Sequence, residues 1–95
     1  MATYVILSKL SPDAFRDPGE FRQIAEKVSQ RIKADCPNVR WNASYALMGR
    51  FDVVDLVEAN SPAEVERAAM IIRAHGHATT ETMLATPWKE FLASL

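Results

Sequence analysis

The sequence contains one cysteine, three glycines and no run of like charge among its 95 residues. A single cysteine, Cys36, excludes an intramolecular disulfide and a thiolate zinc cluster, which favours a reducing, cytoplasmic location. We expect Cys36 to be a small buried side chain near a helix end. The 11 Lys and Arg residues are balanced by 12 Asp and Glu residues. That balance predicts no nucleic-acid partner and no attachment to an anionic membrane surface.

Common enzyme motifs and targeting signals are also missing. The sequence has no glycine-rich phosphate loop, no nucleophile elbow, no His-Glu-x-x-His motif and no dinucleotide fingerprint. The apolar run near the amino terminus, Tyr4 to Leu7, is too short for a signal peptide or a membrane span. We therefore expect a cytoplasmic protein that has no cofactor. We also expect it to lie outside the enzyme classes marked by those motifs.

What is present matches one small globular domain spanning residues 1–95, with 48% apolar and 24% charged residues. A domain of this size buries only about 60 to 65% of the surface that its unfolded chain exposes. A partner subunit would therefore add to its stability.

Prolines mark the predicted helix starts. Four of the five prolines follow Ser, Asp or Thr, an arrangement typical of capped helix N-termini. Asp17 and Ser61 are each followed three residues later by a glutamate, as in a capping box. These signals predict helices over 18–35 and 62–75, with Gly76 closing the second helix in the left-handed conformation.

Both helices are one-sided, so each is expected to cover a sheet. Their apolar positions recur at helical spacing and are Phe21, Ile24, Val28 and Ile32 in the first, and Val65, Ala68, Ala69 and Ile72 in the second. Four β-like segments surround them: 3–9, 39–48, 51–59 and 77–85. This order predicts an α+β, ferredoxin-like βαββαβ fold, with a four-stranded antiparallel sheet and two helices on one face.

The other face of the predicted sheet has no cover. Monomers rarely leave an apolar patch of more than a few hundred Å² exposed. A tail with Trp88, Phe91, Leu92 and Leu95 at helical spacing predicts a short C-terminal helix that docks on an apolar surface. We expect a homodimer through the open sheet face and this helix, a dimeric α+β barrel. The alternative is a monomer whose tail folds back over its own sheet.

Residues 49–52, Gly-Arg-Phe-Asp, lie at the predicted hairpin between the second and third strands. Together with Tyr45, Glu58-Ala59, Gly76 and Thr80-Glu81-Thr82, they make nearly the whole chain resemble the GYD domain family. The resemblance implies a dimeric α+β barrel, an architecture shared with small monooxygenases, isomerases, haem-binding enzymes and ligand-sensing modules, and it implies no settled reaction. Phe51 stands where the family has Tyr, so a phenolic proton donor is absent there.

Asp55 is the main chemical candidate, because it puts a carboxylate in the middle of a predicted central strand. A two-residue turn at Gly49-Arg50 would set it opposite Ser44, and a bulged three-residue loop would set it opposite Trp41. One interpretation is a pocket base with a raised pKa, which requires a cavity of about 300 Å³ or more. The other, which we favour, is a hydrogen-bond network between the two sheets of a dimer.

Four residues near the hairpin are candidate ligand contacts. Arg50 can clamp an anionic group and Asp52 can orient a ligand at a pocket rim, although both also fit structural roles in a turn. Trp41 and Tyr45 are predicted to share one face of the second strand, where such aromatic residues are more often part of the core than ligand contacts.

The sequence His75-Gly76-His77, followed by Glu81, contains enough ligands for a metal. A histidine at a helix C-terminus is already explained by the helix dipole, so we expect no metal there. In a strand, His77 and Glu81 would share a face and could line a pocket as a catalytic pair.

These patterns predict a small cytoplasmic homodimer that binds a small organic molecule or acts as an assembly module. One alternative is a cofactor-independent isomerase or monooxygenase that uses Asp55, or His77 with Glu81, as its base. Another is a metal- or haem-binding protein that uses His75 and His77.

Overall fold

The computed structural model describes all residues, Met1–Leu95. The elements are β1 (Ala2–Leu10), α1 (Pro18–Asp35), β2 (Arg40–Ala46), β3 (Val53–Ala59), α2 (Pro62–Gly76), β4 (Ala78–Ala85) and α3 (Trp88–Ala93). The strands form one antiparallel sheet in the order β2-β3-β1-β4. The predicted ferredoxin-like βαββαβ fold with a short C-terminal helix is confirmed. None of the three helices is both long and apolar enough to cross a membrane.

Both long helices begin at the predicted caps. The Asp17 carboxylate accepts a hydrogen bond from the Glu20 N–H at 3.0 Å, and the Ser61 hydroxyl likewise accepts a backbone N–H of α2. The second half of the Ser61 capping box is not formed. Instead, the Glu64 carboxylate accepts a hydrogen bond from the Asn38 side chain at 3.3 Å, which ties the start of α2 to the segment before β2.

The end of α2 differs from the prediction. Gly76 is still helical, and His77, with φ 52° and ψ 51°, takes the left-handed conformation in its place. Gly76 is buried, and a Cβ at this position would lie 3.4 Å from Val28 Cγ2 of α1. Gly76 therefore packs against α1 at a distance that leaves a Cβ in ordinary van der Waals contact. The predictions that Gly76 closes the helix and that His77 begins the last strand are wrong.

The core lies between the helices and one face of the sheet. Alternate residues of β1 and β3 point toward the helices, and Ile6 and Val57 are fully buried there together with Val65 of α2. Ala68 and Ala69 lie on the same face of α2 and are also buried. These small side chains let α2 approach the sheet closely.

The backbone of α1 lies farther from the sheet than that of α2. Its Cα atoms come within 8 Å of those of α2 but not of any strand. Of its predicted apolar stripe, Phe21, Ile24 and Val28 are only partly buried, and Ile32 is buried. The stripe faces inward as predicted, but it does not fill the space above the sheet.

The other face of the sheet is uncovered, and α3 extends beyond the domain. We call this surface the open face; its apolar residues are Val5, Leu7, Ala43, Tyr45, Val54, Leu56, Met83 and Ala85. Trp88 and Phe91 of α3 remain 69% and 44% exposed and contact each other, with ring centroids 5.7 Å apart. No Cα of α3 lies within 8 Å of another element. The tail therefore does not fold back over its own sheet.

Candidate functional site

A cavity of about 640 Å³ lies between α1 and the sheet. Its roof is the apolar stripe of α1, and its floor consists of helix-facing residues of β1, β2 and β3. The lining is mostly hydrophobic, with 14 apolar residues of 21. This size and character are typical of sites for small organic molecules.

Asp55 lies in the floor of this cavity and is only 6% exposed. Its Oδ1 accepts one hydrogen bond from the Ser44 hydroxyl at 2.5 Å and another from the Trp41 indole N–H at 3.1 Å. The same indole N–H lies 2.9 Å from Ser44 Oγ. No protein group donates to Asp55 Oδ2, so one carboxylate oxygen is held by two donors while the other remains free.

A β-bulge brings both donors to the same oxygen. Ser44 lies directly opposite Asp55, and the β2–β3 register shifts between Trp41 and Ala43, where Asn42 is the additional residue. The shift turns Trp41 to the same sheet face as Ser44. The two neighbours that the sequence offered as alternatives therefore both contact Asp55.

Burial raises the pKa of Asp55 above its ordinary value, because desolvation disfavours the charged carboxylate. The hydrogen bonds from Ser44 and Trp41 act in the opposite direction and are weaker than the desolvation effect. Asp55 also pairs with the fully buried Ile6 of β1, so it lies on the helix-covered face. The predicted network between two sheets at a dimer interface is wrong for Asp55, and the pocket interpretation fits its position.

Ser8 is a second polar group of the cavity, and the sequence patterns did not single it out. It is 3% exposed, and its Oγ has no hydrogen-bond partner. Ser8 lies opposite Val53, one diagonal step from Asp55 on the same face of the sheet. The alternation of side chains along β1 could have identified it, because Ser8 points to the same sheet face as the buried Tyr4 and Ile6.

Asp52 and Arg50 lie at the hairpin and do not line the cavity. The Asp52 carboxylate accepts a hydrogen bond from the Leu10 N–H at 2.8 Å, and its own N–H donates to the Ser8 carbonyl at 2.9 Å. Asp52 therefore fastens the hairpin to the end of β1. Arg50 is exposed beside Gly49, whose φ of 146° is rarely adopted by residues with a side chain.

The hairpin loop is longer than predicted. Pairing between β2 and β3 ends at the bond from the Leu47 N–H to the Asp52 carbonyl, 2.8 Å long, which leaves residues 48–51 as the loop. The register is nevertheless the one that a two-residue turn would impose, with Ser44 opposite Asp55.

Trp41 and Tyr45 have different surroundings. Trp41 is partly buried and lines the cavity through its contact with Asp55. Tyr45 borders the cavity, but it is exposed and lies opposite Val54 on the open face. The prediction that the two aromatic residues share a face is wrong, because the bulge lies between them. Trp41 is the better ligand contact of the two.

The histidines and Glu81 are not brought together. His77 caps α2 outside β4, while Glu81 lies opposite Leu7 on the open face. The prediction that His77 and Glu81 line one pocket is therefore wrong. His75 lies in the last turn of α2, as expected for a residue near a helix C-terminus. No three His, Cys, Asp or Glu side chains lie close enough together to hold a metal.

Cys36 closes α1 and is buried, in agreement with the sequence interpretation. Burial raises the pKa of its thiol, which keeps it in the weakly nucleophilic protonated form. Cys36 therefore contributes an apolar wall to the cavity.

The sequence matches the GYD domain over residues 4–95. It is also 33% identical over 95 residues to a Thermus thermophilus protein named glutamine synthetase and cystathionine beta-lyase binding protein, covering 100% of this chain and 99% of the relative. Both similarities extend over nearly the full length.

Two solved structures have a similar fold. The Mycobacterium tuberculosis leucine response regulatory protein superposes with a TM-score of 0.62 at 15% identity, covering 90% of this chain and 51% of that one, so this chain spans about half its length. A hypothetical protein from Pyrococcus horikoshii gives a TM-score of 0.57 at 24% identity, covering 92% of each chain. At these identities the likeness shows the fold alone. The match over residues 4–95 and the full-length relative show the family: this chain belongs to the GYD domain family.

Proposed function

We propose that this protein is a cytoplasmic homodimer that acts as a binding module for enzymes and has no reaction of its own. The observation that carries the proposal is the apolar surface left uncovered on the open face and on α3. Enzymes are the proposed partners because the Thermus thermophilus relative is named for binding glutamine synthetase and cystathionine beta-lyase.

The chain exposes more surface than a compact monomer of its mass. Its solvent-accessible area is 6744 Å², whereas a monomer of 10.6 kDa is expected to expose about 5,500 Å². Its radius of gyration of 14.0 Å also exceeds the roughly 12.4 Å expected for this length. The excess of about 1,200 Å² is larger than the roughly 800 Å² that each partner buries in a standard interface.

A second copy of the chain suits the open face. In a two-fold dimer the same patch meets itself, so the apolar centre of one copy would cover the apolar centre of the other. The edges of the face carry charges of both signs: Lys9, Arg40, Glu58 and Glu81. Two copies related by a two-fold axis can therefore pair opposite charges around the apolar centre.

A pair of methionine variants tests the dimer. Met83 on the open face and Met70 on the outer surface of α2 are 45% and 57% exposed, so a lysine is tolerated sterically at either position. Light scattering after size exclusion is expected to give about 21 kDa for the wild type, twice the chain mass of 10.6 kDa. Met83→Lys is expected to give monomer, and Met70→Lys to remain dimeric. A wild-type mass of 10.6 kDa at micromolar concentration would contradict the dimer.

Direct binding measurements test the enzyme partners. Glutamine synthetase and cystathionine beta-lyase from the same organism would each be immobilised and titrated with wild-type protein, with serum albumin as the unrelated control. We expect saturable binding to at least one of the two enzymes, with a dissociation constant of about 10 μM or less. Absence of saturable binding to both would overturn the choice of partners, while the mass measurement decides the dimer separately.

A second function, a cofactor-independent isomerase or monooxygenase, is favoured by Asp55. A buried carboxylate with a raised pKa in a largely apolar cavity has the properties of a general base. The test follows hydrogen–deuterium exchange of small ketones and phenols in D₂O by NMR. Protein-dependent exchange that Asp55→Asn removes would support this function, and equal exchange with both proteins would exclude Asp55 as the base.

A further inference from the structure

We infer that the cavity beneath α1 binds a small, largely apolar molecule carrying one hydrogen-bond donor group, a hydroxyl or an ammonium, held between Asp55 and Ser8. The cavity lies on the helix-covered side of the sheet, whereas the proposed dimer uses the open face. The ligand site therefore does not depend on the proposed function.

The walls of the cavity fix the apolar part of the ligand. Phe21, Ile24 and Val28 form the roof, and Val53 and Trp41 form part of the opposite wall. The roof residues remain only partly buried because the cavity separates α1 from the strands. A hydrocarbon or aromatic body in this space would bury them, which is the main source of affinity in such sites.

Two polar atoms fix the position of the ligand's polar group. Ser8 Oγ is buried and has no partner, and Asp55 Oδ2 has no protein donor. Buried polar groups normally have hydrogen-bond partners, because leaving one unpaired is costly. A ligand hydroxyl can donate to Asp55 and accept from Ser8, and a ligand ammonium can donate to both. One head group between the two residues therefore satisfies both atoms.

The charged residues that line the cavity favour a ligand with a hydrogen-bond donor head group over a ligand with an acidic head group. Asp55 is the only Asp or Glu that lines the cavity, and Lys33, which is exposed, is the only Lys or Arg. A carboxylate or phosphate head group beside the nearly buried carboxylate of Asp55 would bring two negative charges together, which is unfavourable. Donor head groups meet no such repulsion.

Tryptophan fluorescence provides a readout of ligand binding in the cavity. Trp41 and Trp88 are its two tryptophans, and Trp88 is exposed on α3. In Trp88→Phe protein, fluorescence reports on Trp41 alone, whose indole contacts Asp55. Four probes share a phenyl body and differ in the head group: 2-phenylethanol, 2-phenylethylamine, 3-phenylpropanoate and ethylbenzene.

We expect saturable changes in Trp41 fluorescence with the alcohol and the amine. Binding of 3-phenylpropanoate and of ethylbenzene should be weaker by about tenfold or more, because the first repels Asp55 and the second leaves both polar atoms unpaired. Tighter binding of the amine would assign a cationic ligand, and tighter binding of the alcohol an uncharged one. Equal affinity for ethylbenzene and the two donors would overturn the proposed polar contact.

Variants in the same background test the two residues. Asp55→Asn is expected to weaken amine binding about tenfold or more, and Ser8→Ala to weaken alcohol binding about two- to tenfold, with ethylbenzene binding unchanged. Met83→Lys should leave every probe affinity unchanged even where it abolishes the dimer. Chemical-shift mapping of wild-type protein provides a measurement that does not depend on the variants folding. Shifts confined to the open face, or no saturable binding of any probe, would overturn the site.

Discussion

Two opposing effects act on the carboxylate of Asp55. Desolvation raises its pKa, and the donors Ser44 and Trp41 offset only part of that effect. The folded protein therefore holds a proton on Asp55 at pH values where the unfolded chain has released it. The result is a local cost of burying this group in its charged form.

This cost predicts a pH dependence that Asp55→Asn should remove. Because the folded-state pKa is raised above 3.8, protonation of Asp55 stabilises the folded state, and this contribution is lost as pH rises through the folded-state pKa. The melting temperature of Asp55→Asn minus that of the wild type should therefore increase between about pH 4 and pH 7. Asp13→Asn, at an exposed position, is the control. A difference for Asp55→Asn that falls with pH would contradict the desolvation argument.

Asp52 should contribute to stability and Arg50 should not. Asp52 supplies the acceptor for the Leu10 N–H, whereas Arg50 is exposed and makes no hydrogen bond or ion pair. Asp52→Ala is expected to lower the free energy of unfolding by about 1 to 2 kcal/mol, and Arg50→Ala to change it by less than about 0.5 kcal/mol. Urea denaturation measures both values. Equal effects would mean that the bond to Leu10 does not stabilise the hairpin.

Part of the site was predictable at the level of single residues. Asp55 stands out in sequence as a charge within an apolar strand, and Ser44 and Trp41 were its two possible neighbours. The bulge at Asn42 was not predictable, because one additional residue leaves no mark in composition. A shift of one residue reverses the face of every side chain beyond it, which explains why Tyr45 was expected beside Trp41.

At the level of elements, the start of each long helix followed from local chemistry. The bounds of α1, Pro18–Asp35, agree with the prediction because a cap, a proline and the following Pro37 all act within a few residues of the helix ends. The end of α2 did not follow in this way. A glycine near a helix end is suited to a left-handed turn, but Gly76 continues the helix and the next residue, His77, takes that conformation.

Two glycine substitutions test which residue carries the left-handed conformation at the end of α2. At His77 a glycine would relieve the left-handed conformation, so His77→Gly should raise the free energy of unfolding by up to about 1 kcal/mol. His75 lies within the helix, so His75→Gly should lower it by about 1 kcal/mol. Guanidinium denaturation provides the comparison. Destabilisation by His77→Gly as large as that by His75→Gly would show that the His77 side chain contributes more than its backbone conformation costs.

At the scale of the whole molecule, the fold was predictable because helix caps, strand segments and apolar spacing all indicate one architecture. The surface that covers the open face was not predictable in the same way. An apolar surface requires an apolar complement, but many surfaces meet that requirement, and the sequence of one chain does not specify which. The partner is therefore decided by measurement of mass and binding.

Removing residues 87–95 separates folding from assembly. Because α3 lies apart from the other elements, the shortened chain should lose only the circular dichroism signal of the six-residue α3 and no more than about 0.5 kcal/mol of intrinsic domain stability. The dissociation constant of the proposed dimer, measured by analytical ultracentrifugation, should increase about tenfold or more through loss of the exposed aromatic residues. Collapse of the fold, or an unchanged dissociation constant, would contradict these roles for α3.

The separation of α1 from the sheet also has a kinetic consequence. Along its length this helix is anchored mainly to α2, so it can tilt outward without breaking any hydrogen bond between strands. Segments with fewer buried contacts open more often than the rest of a protein. Amide hydrogens of α1 should therefore exchange with deuterium faster than those of α2 and β1, in a concerted unit. A ligand bound in the cavity should slow amide exchange in α1, which covers the cavity, and leave the exchange rate in the sheet nearly unchanged.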